Sequence, residues 1–146
     1  MSEIVGIIVP IPKELIDRIL TERRNVVVKY TNKNAYFKIR EKNRVLFYES
    51  RGCKQIVGEG RIDGVYTLTP KEAWVKFGDK MFIDEKELEA YILLQPNRTP
   101  LKKMLVLVLS RLTRYPEPKK FKKTISMAGQ YITKEEYEEL RQQKSK

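Results

Sequence analysis

Apolar residues recur along the chain with the periods of strands and helices, and the clearest pattern lies near the start. A continuous apolar run over residues 4–9 predicts a buried first strand. An apolar stripe with helical spacing then predicts a helix over residues 13–21, directly after two prolines. Three successive valines favour a strand over residues 24–31. The chain therefore begins with a strand, a helix and a second strand.

The remainder of the chain contains further strand and helix patterns, separated by turn residues. Strands are predicted over residues 44–49, 54–66 and 102–114. Helices are predicted over residues 70–77 and 84–94, and over 134–146 as a C-terminal helical tail. Thr69 and Thr133 have the residue type that caps a helix start, and Glu136 completes a capping box with Thr133.

Three breaks in these patterns carry separate predictions. The two prolines of residues 115–118 are predicted to end the strand before them. Residues 126–131 are predicted to be a small-residue loop that presents backbone N–H groups to an anion, with an ordinary turn as the alternative. Gly58 and Gly60 lie two apart in a strand, so they mark either a bulge or a close approach of another group.

The order of these elements predicts an α+β fold, a small mixed β pseudo-barrel with flanking helices. Strands and helices do not alternate regularly, which argues against a doubly wound sheet. At 146 residues the chain fits one domain with a real core, so residues 1–146 are expected to form a single domain.

The net charge of +11 gives information about the binding partner rather than about the fold. Such a balance points to a polyanion, most often a nucleic acid. A basic protein stabilised by networks of ion pairs is the alternative. Basic and aromatic residues are also close together in three places, namely residues 23–30, 48–54 and 119–123.

The chain has one cysteine and no histidine. No internal disulfide can form, and a reducing, cytoplasmic location is expected. The commonest general base and metal ligand is absent, so we expect neither a metal site nor a cofactor. No apolar run reaches membrane-spanning length, so no membrane association is expected.

The order of these segments resembles the PUA-like superfamily, whose small pseudo-barrels hold RNA or a modified base. Within it the chain resembles an uncharacterised, mainly archaeal family related to ASCH domains. The segments that carry the resemblance are IVPIPKELIDRIL, RRNVVVKYT, RVLFYES, IVGEGRIDGVYTLTPKEAW, KMLVLVL and ISMAGQYIT.

The ASCH signature, Gly-x-Lys-x-x-Glu-x-Arg, falls on the end of the first helix and the strand that follows. Glu22 replaces the glycine, Arg24 the lysine, Val27 the acid and Lys29 keeps a cation at the arginine. A valine cannot activate water, and an arginine does not readily lose its proton to act as a base. The resemblance therefore implies the binding role of the superfamily rather than its hydrolytic one.

The resulting hypothesis is an RNA-binding module, with tRNA or rRNA as partner and a modified or flipped nucleotide as a candidate ligand. Arginines and lysines would hold phosphates, tyrosines would stack, and amides would contact base edges. The predicted binding residues are Arg23, Arg24, Asn25, Lys29, Tyr30, Tyr48, Ser50, Arg51, Lys54, Ser126, Gly129, Gln130 and Tyr131.

Two other functions stay open at this point. A small ASCH-like hydrolase acting on a nucleoside or nucleotide would need a base, for which Lys29, Lys54 and Glu59 are the candidates. A protein–protein adaptor would use the acidic block over residues 63–89. Either a monomer or a homodimer is compatible with the sequence.

Overall fold

A computed structural model describes residues 3–29, 40–51, 53–93, 103–125 and 129–143. The strands are β1 Ile4–Ile11, β2 Val26–Lys29, β3 Arg44–Glu49, β4 Ile56–Leu68, β5 Met104–Lys119 and β6 Gln130–Thr133. The helices are α1 Lys13–Leu20, α2 Pro70–Phe77, α3 Glu85–Leu93 and α4 Lys134–Arg141, with a 3₁₀ turn at Gly78–Lys80.

The six strands form one mixed sheet in the order β2-β5-β4-β3-β1-β6. β1 runs parallel to β3, and the other neighbours are antiparallel. The predicted α+β class with a mixed sheet and flanking helices is confirmed. The sheet is open between the described strands, because β2 and β6 end it on opposite sides.

Alternate residues of the strands build two cores on opposite faces of the sheet. Ile7 and Phe47 belong to the larger core, which also contains Ile16 and Ile19 of α1. Leu46, the neighbour of Phe47, belongs to the smaller core, which α4 covers. We call these two sides the α1 face and the α4 face.

β5 extends through the two prolines that were predicted to end it, and this prediction was wrong. Pairing of β5 with β2 begins at Val108, so the later part of β5 has no described strand on that side. On its other side, the register with β4 shifts between Arg114 and Lys119. A proline in a strand cannot donate a backbone N–H to a neighbouring strand. At these two positions no regular hydrogen-bond ladder between strands needs that donor, so the strand continues.

The predicted loop over residues 126–131 was also wrong at its end. Gln130 and Tyr131 pair with Ile8 and Ile7 as the first residues of β6. A strand of four residues has little local signal, and this one exists because β1 offers it an unpaired edge. Residues 126–128 lie outside the described part of the chain.

Gly58 brings β4, β5 and α1 close together, as the paired glycines predicted. A Cβ atom at Gly58 would lie 2.5 Å from the Thr113 carbonyl oxygen and 3.0 Å from Leu20 Cδ1. The three atoms nearest to a Cβ at Gly64 all belong to the Tyr66 side chain, the first of them at 3.0 Å. The register of β4 also shifts next to Gly58 and Gly60, so both suggested roles of this pair are present.

Gly58→Ala is therefore expected to destabilise the protein by about 1–3 kcal/mol, because a backbone carbonyl of the adjacent strand cannot move away cheaply. Gly64→Ala is the matched control in the same strand, since the partly exposed Tyr66 ring can rotate aside. Urea unfolding of both variants measures the difference. Equal losses would contradict the packing role given to Gly58.

Arg18 of α1 connects the first helix to α3. Its guanidinium pairs with the Glu87 carboxylate, with Nη2 2.9 Å from Oε2. Asp84 and Glu87 exchange side chain–backbone hydrogen bonds of 2.9 Å at the start of α3. The hydrogen bond from Arg18 lowers the pKa of Glu87 below its usual value of 4.5.

A lowered pKa means that ionised Glu87 stabilises the fold, and this contribution disappears as the pH falls through the lowered pKa. Both side chains are partly exposed, so we expect a contribution of at most about 1 kcal/mol. The drop in Tm between about pH 6 and about pH 2.5 should be smaller in Glu87→Gln than in the wild type. Glu85→Gln, an exposed neighbour, should retain the full drop, and a Glu87→Gln drop as large as the wild type would refute the role of this pair.

Candidate nucleic-acid interface

The turn between α1 and β2 lies against β5. The Arg24 backbone N–H donates to the Arg18 carbonyl oxygen at 3.2 Å, which closes the end of the helix. Arg23 adopts a left-handed backbone with φ 61°. Its exposed guanidinium donates to the Leu112 carbonyl oxygen of β5 at 3.0 Å. The turn therefore places Arg23 beside the part of β5 that β2 leaves uncovered.

β5 contributes two further arginines at this place. Arg111 is exposed and has a left-handed backbone with φ 50°. Arg114 donates to Asp17 Oδ1 at 3.0 Å and to Thr21 Oγ1 at 3.4 Å, both on α1 or its end. Arg23, Arg24, Arg111 and Arg114 lie on the turn and on the adjacent part of β5, and we call these four residues the arginine surface.

The arginine surface is only partly neutralised. Arg114 pairs with Asp17, and Arg24 has a looser contact with Glu22 at 3.6 Å. Arg23 makes no ion pair within the described residues, and Arg111 lies close enough to Asp63 of β4 to help lower the pKa of that carboxyl. Four guanidinium groups with three carboxylates, those of Asp17, Glu22 and Asp63, leave an excess of positive charge that is suited to phosphates.

Sequence reasoning selected Arg23 and Arg24 but missed Arg111 and Arg114. Nothing local distinguishes the latter pair from other arginines in a strand. They lie near the turn because β2 pairs with β5, with Val26 opposite Val108, which is distant in sequence. To identify them from sequence, one would have to predict the order of the strands in the sheet.

Asn25 and Lys29 have different surroundings from those predicted. The Asn25 Nδ2 donates to the Leu109 carbonyl oxygen at 2.8 Å, so this amide holds β2 to β5. Lys29 lies at the other end of β2, opposite Leu105. It is about 16 Å along the strand from Arg24, at about 3.3 Å per residue. Tyr30 lies outside the described residues.

The β3–β4 hairpin tip carries the second predicted group. Ser50 donates its backbone N–H to the Ile11 carbonyl oxygen at 3.1 Å, next to the start of α1. Arg51 and Lys54 are exposed, and Lys54 has φ 55°. Tyr48 packs against the core of the α4 face. The tip is separated from the arginine surface by the length of α1, about 12 Å.

The third predicted group lies at β6. Gly129 adopts φ 102°, and the Gln130 side chain donates to the Tyr131 carbonyl oxygen at 3.4 Å. Tyr131 packs against the core of the α1 face, whereas Tyr48 packs on the opposite face. The structure therefore does not bring the two tyrosines to one cleft. Ser126 lies outside the described residues.

The lysine run before β6 binds α4. Lys119 Nζ donates to the Gln143 carbonyl oxygen at 3.0 Å. Lys122 pairs with Glu139 at 3.1 Å, and Lys123 pairs with Glu136 at 2.7 Å. This third basic and aromatic segment therefore holds the C-terminal helix, and part of its charge is already used.

Glu59, a candidate base of the hydrolase alternative, lies at the centre of a buried hydrogen-bond network. It is 3% exposed and faces α4. It accepts from Tyr115 at 2.7 Å, from Tyr137 at 2.9 Å, from Arg44 at 3.0 Å and from Arg141 at 3.2 Å. Burial raises the pKa of the Tyr115 and Tyr137 hydroxyls, which remain hydrogen-bond donors.

This network gives Glu59 no accessible lone pair with which to take a proton, since each oxygen already accepts at least two hydrogen bonds. The lysines in the described ion pairs with Asp17, Glu136 and Glu139 are all more than half exposed. The described residues contain no group of three or more side chains that is suited to a metal ion. No helix among them is long and apolar enough to span a membrane.

A family model described as a domain of unknown function, DUF365, matches residues 4–134. An uncharacterized protein of Methanocaldococcus jannaschii is 27% identical over 103 residues, which are 66% of this chain and 95% of that protein. The crystal structure of ASCH from Zymomonas mobilis has a TM-score of 0.76 at 14% identity, covering 94% of each chain. The N-terminal domain of Staphylothermus marinus McrB has a TM-score of 0.55 at 18% identity, covering 97% of each chain. These structural similarities confirm the predicted PUA-like, ASCH-related fold.

Proposed function

This chain belongs to the DUF365 family, and from this premise we propose that it is a nucleic-acid-binding module whose preferred partner is single-stranded RNA. The observation that carries the proposal is the arginine surface, where the α1–β2 turn and the adjacent part of β5 carry four arginines. The net charge of +11 supports the same class of partner.

The chemistry of the arginine surface fits a flexible, phosphate-bearing strand. A guanidinium group binds phosphate oxygens through two parallel hydrogen bonds, and its planar face stacks on unpaired bases. Arg23 is exposed and has no ion-pair partner within the described residues, so binding a phosphate there breaks no ion pair. Arg111 is exposed as well and acts on Asp63 of β4, whose pKa it helps to lower.

Two residues of the arginine surface have strained backbone conformations that core packing does not explain. Arg23 and Arg111 both have left-handed backbones, which cost about 1–2 kcal/mol each in a residue other than glycine. Neither side chain is buried, so core packing does not account for them. Arg23 reaches the uncovered part of β5 from this conformation, as its contact with the Leu112 carbonyl oxygen shows, and a binding surface is one reason to keep such strain.

A modified or flipped nucleotide remains a candidate ligand within this proposal. Such a base would need an aromatic partner near the arginine surface. Tyr30 is the residue of that type that the sequence predicts, and it lies outside the described residues. Lys29 would contact the strand at the far end of β2.

Fluorescence anisotropy with a labelled RNA strand and the DNA strand of the same sequence tests the proposal. We expect RNA to bind more tightly than DNA. We also expect the logarithm of the RNA association constant to fall by about 0.7 per phosphate contact for each tenfold rise in salt. Four contacts would give a slope of about −3. Binding that ignores salt, or that is equal for RNA, DNA and heparin, would refute a specific RNA module.

A further inference from the structure

A second group of arginines lies on the α4 face, around the Glu59 network. Arg44 of β3 and Arg141 of α4 both bond the same carboxylate, through opposite oxygens. Their guanidinium carbons lie 5.1 Å and 5.8 Å from the centre of the Tyr137 ring. The two cations are therefore neighbours across one aromatic ring, although they come from different elements.

Arg61 of β4 adds a third cation. It is the register partner of Arg44, so the two side chains leave the sheet on the same face with their Cβ atoms about 5 Å apart. Like charges directly opposite each other are destabilising. Arg61 pairs with Asp63 at 3.1 Å, and Arg44 pairs with Glu59. Three arginines and two carboxylates leave an excess of one positive charge.

Anchoring of α4 does not account for this composition. One arginine would neutralise Glu59, and the hydroxyls of Tyr115 and Tyr137 already satisfy its oxygens. Yet Arg44 and Arg141 remain 41% and 54% exposed. Each uses a single guanidinium nitrogen, Nη1, in its described hydrogen bonds, so the other nitrogens of both groups are left for a further acceptor.

We propose that Arg44, Arg61 and Arg141 form a binding site for a phosphoryl group, separate from the arginine surface. Glu59 acts as the positioning residue, because it fixes the orientation of two guanidinium groups before a ligand arrives. A phosphate dianion has enough oxygens to bind the guanidinium nitrogens that the single carboxylate of Glu59 does not bind. Tyr137 and Arg141 lie beyond the segment that the family model matches, so this site need not be shared by the whole family.

Two sources of a phosphoryl group fit the same chemistry, namely a free phosphate compound and the terminal phosphate of a nucleic-acid strand. Isothermal titration with inorganic phosphate and with pyrophosphate, in low-chloride buffer, tests the shared chemistry. We expect saturable binding of one ion, weakened at least about tenfold in Arg44→Gln and in Arg61→Gln. Lys71→Gln on α2 removes one exposed positive charge outside both proposed sites, so it is the matched control and should leave this binding unchanged.

Arg44→Lys separates ligand binding from stability. It retains the ion pair with Glu59 but loses the planar fork, so we expect an unchanged Tm with weakened phosphate binding. Absence of saturable binding in the wild type would overturn the proposal, as would equal binding by wild type and Arg44→Gln. A 5′-phosphorylated RNA that outcompetes its 5′-hydroxyl counterpart would assign the strand end as the source. Equal competition, with inorganic phosphate still binding, would assign a free phosphate compound.

Discussion

Replacing Arg23 and Arg111 by glutamate is expected to weaken RNA binding by about a hundredfold. Each lost charge-assisted hydrogen bond contributes about 1.5 kcal/mol, and every 1.4 kcal/mol is a tenfold change in affinity. The two residues come from different elements, since Arg111 lies in β5 and Arg23 in the turn whose guanidinium contacts the carbonyl oxygen of Leu112, the next residue after Arg111. Anisotropy titrations at fixed salt measure the change.

Lys71→Glu/Lys80→Glu is the matched control for this double variant. Both lysines are exposed, on α2 and the 3₁₀ turn after it, and the control has the same total charge. If affinity follows net charge alone, the two double variants weaken binding equally. If the arginine surface holds the strand, the control loses much less. Equal losses would therefore refute the assignment of the site.

Glu59→Gln is expected to cost about 3 kcal/mol of stability, the largest effect we predict for one substitution. The buried carboxylate accepts hydrogen bonds from two tyrosines and two arginines, and an amide both removes the charge and points N–H groups at those donors. The cost of a poorly satisfied buried network exceeds that of one lost hydrogen bond. At about 3 °C per kcal/mol, Tm should fall by about 9 °C.

Glu49→Gln is the control for this substitution, because Glu49 is also buried and also lies in a strand. The Glu49 carboxylate accepts a single described hydrogen bond, from the Cys53 backbone N–H at 3.0 Å. We expect a loss of about 1 kcal/mol there. Urea unfolding compares the two variants, and a Glu59→Gln loss no larger than that of Glu49→Gln would show that the network contributes little.

Elements with strong local signals were predicted within one or two residues of their ends. β3 and α2 have the predicted bounds, and α1 differs from its prediction by one residue. Thr69 and Thr133 form the capping boxes that begin α2 and α4. These features depend on residues close in sequence, so periodicity and capping chemistry suffice to identify them.

Elements that depend on distant partners were not predicted. β6 forms on the edge of β1, and β5 passes its prolines because no described strand pairs with it on one side there. The arginine surface needs the pairing of β2 with β5, and the Glu59 network needs α4 to fold back over the sheet. The lysine run 119–123 shows the same limit, since sequence indicated free cations but not their acidic partners on α4.

The central claim is that the arginine surface contacts RNA, and backbone amide NMR of the protein titrated with a short RNA strand tests it most directly. We predict that the largest changes in amide chemical shift occur in the α1–β2 turn at residues 21–25 and in β5 at residues 109–114. These changes should disappear in Arg23→Glu/Arg111→Glu while the rest of the spectrum stays the same. Shift changes confined to the β3–β4 hairpin tip or to α4, with these two segments unaffected, would contradict the account.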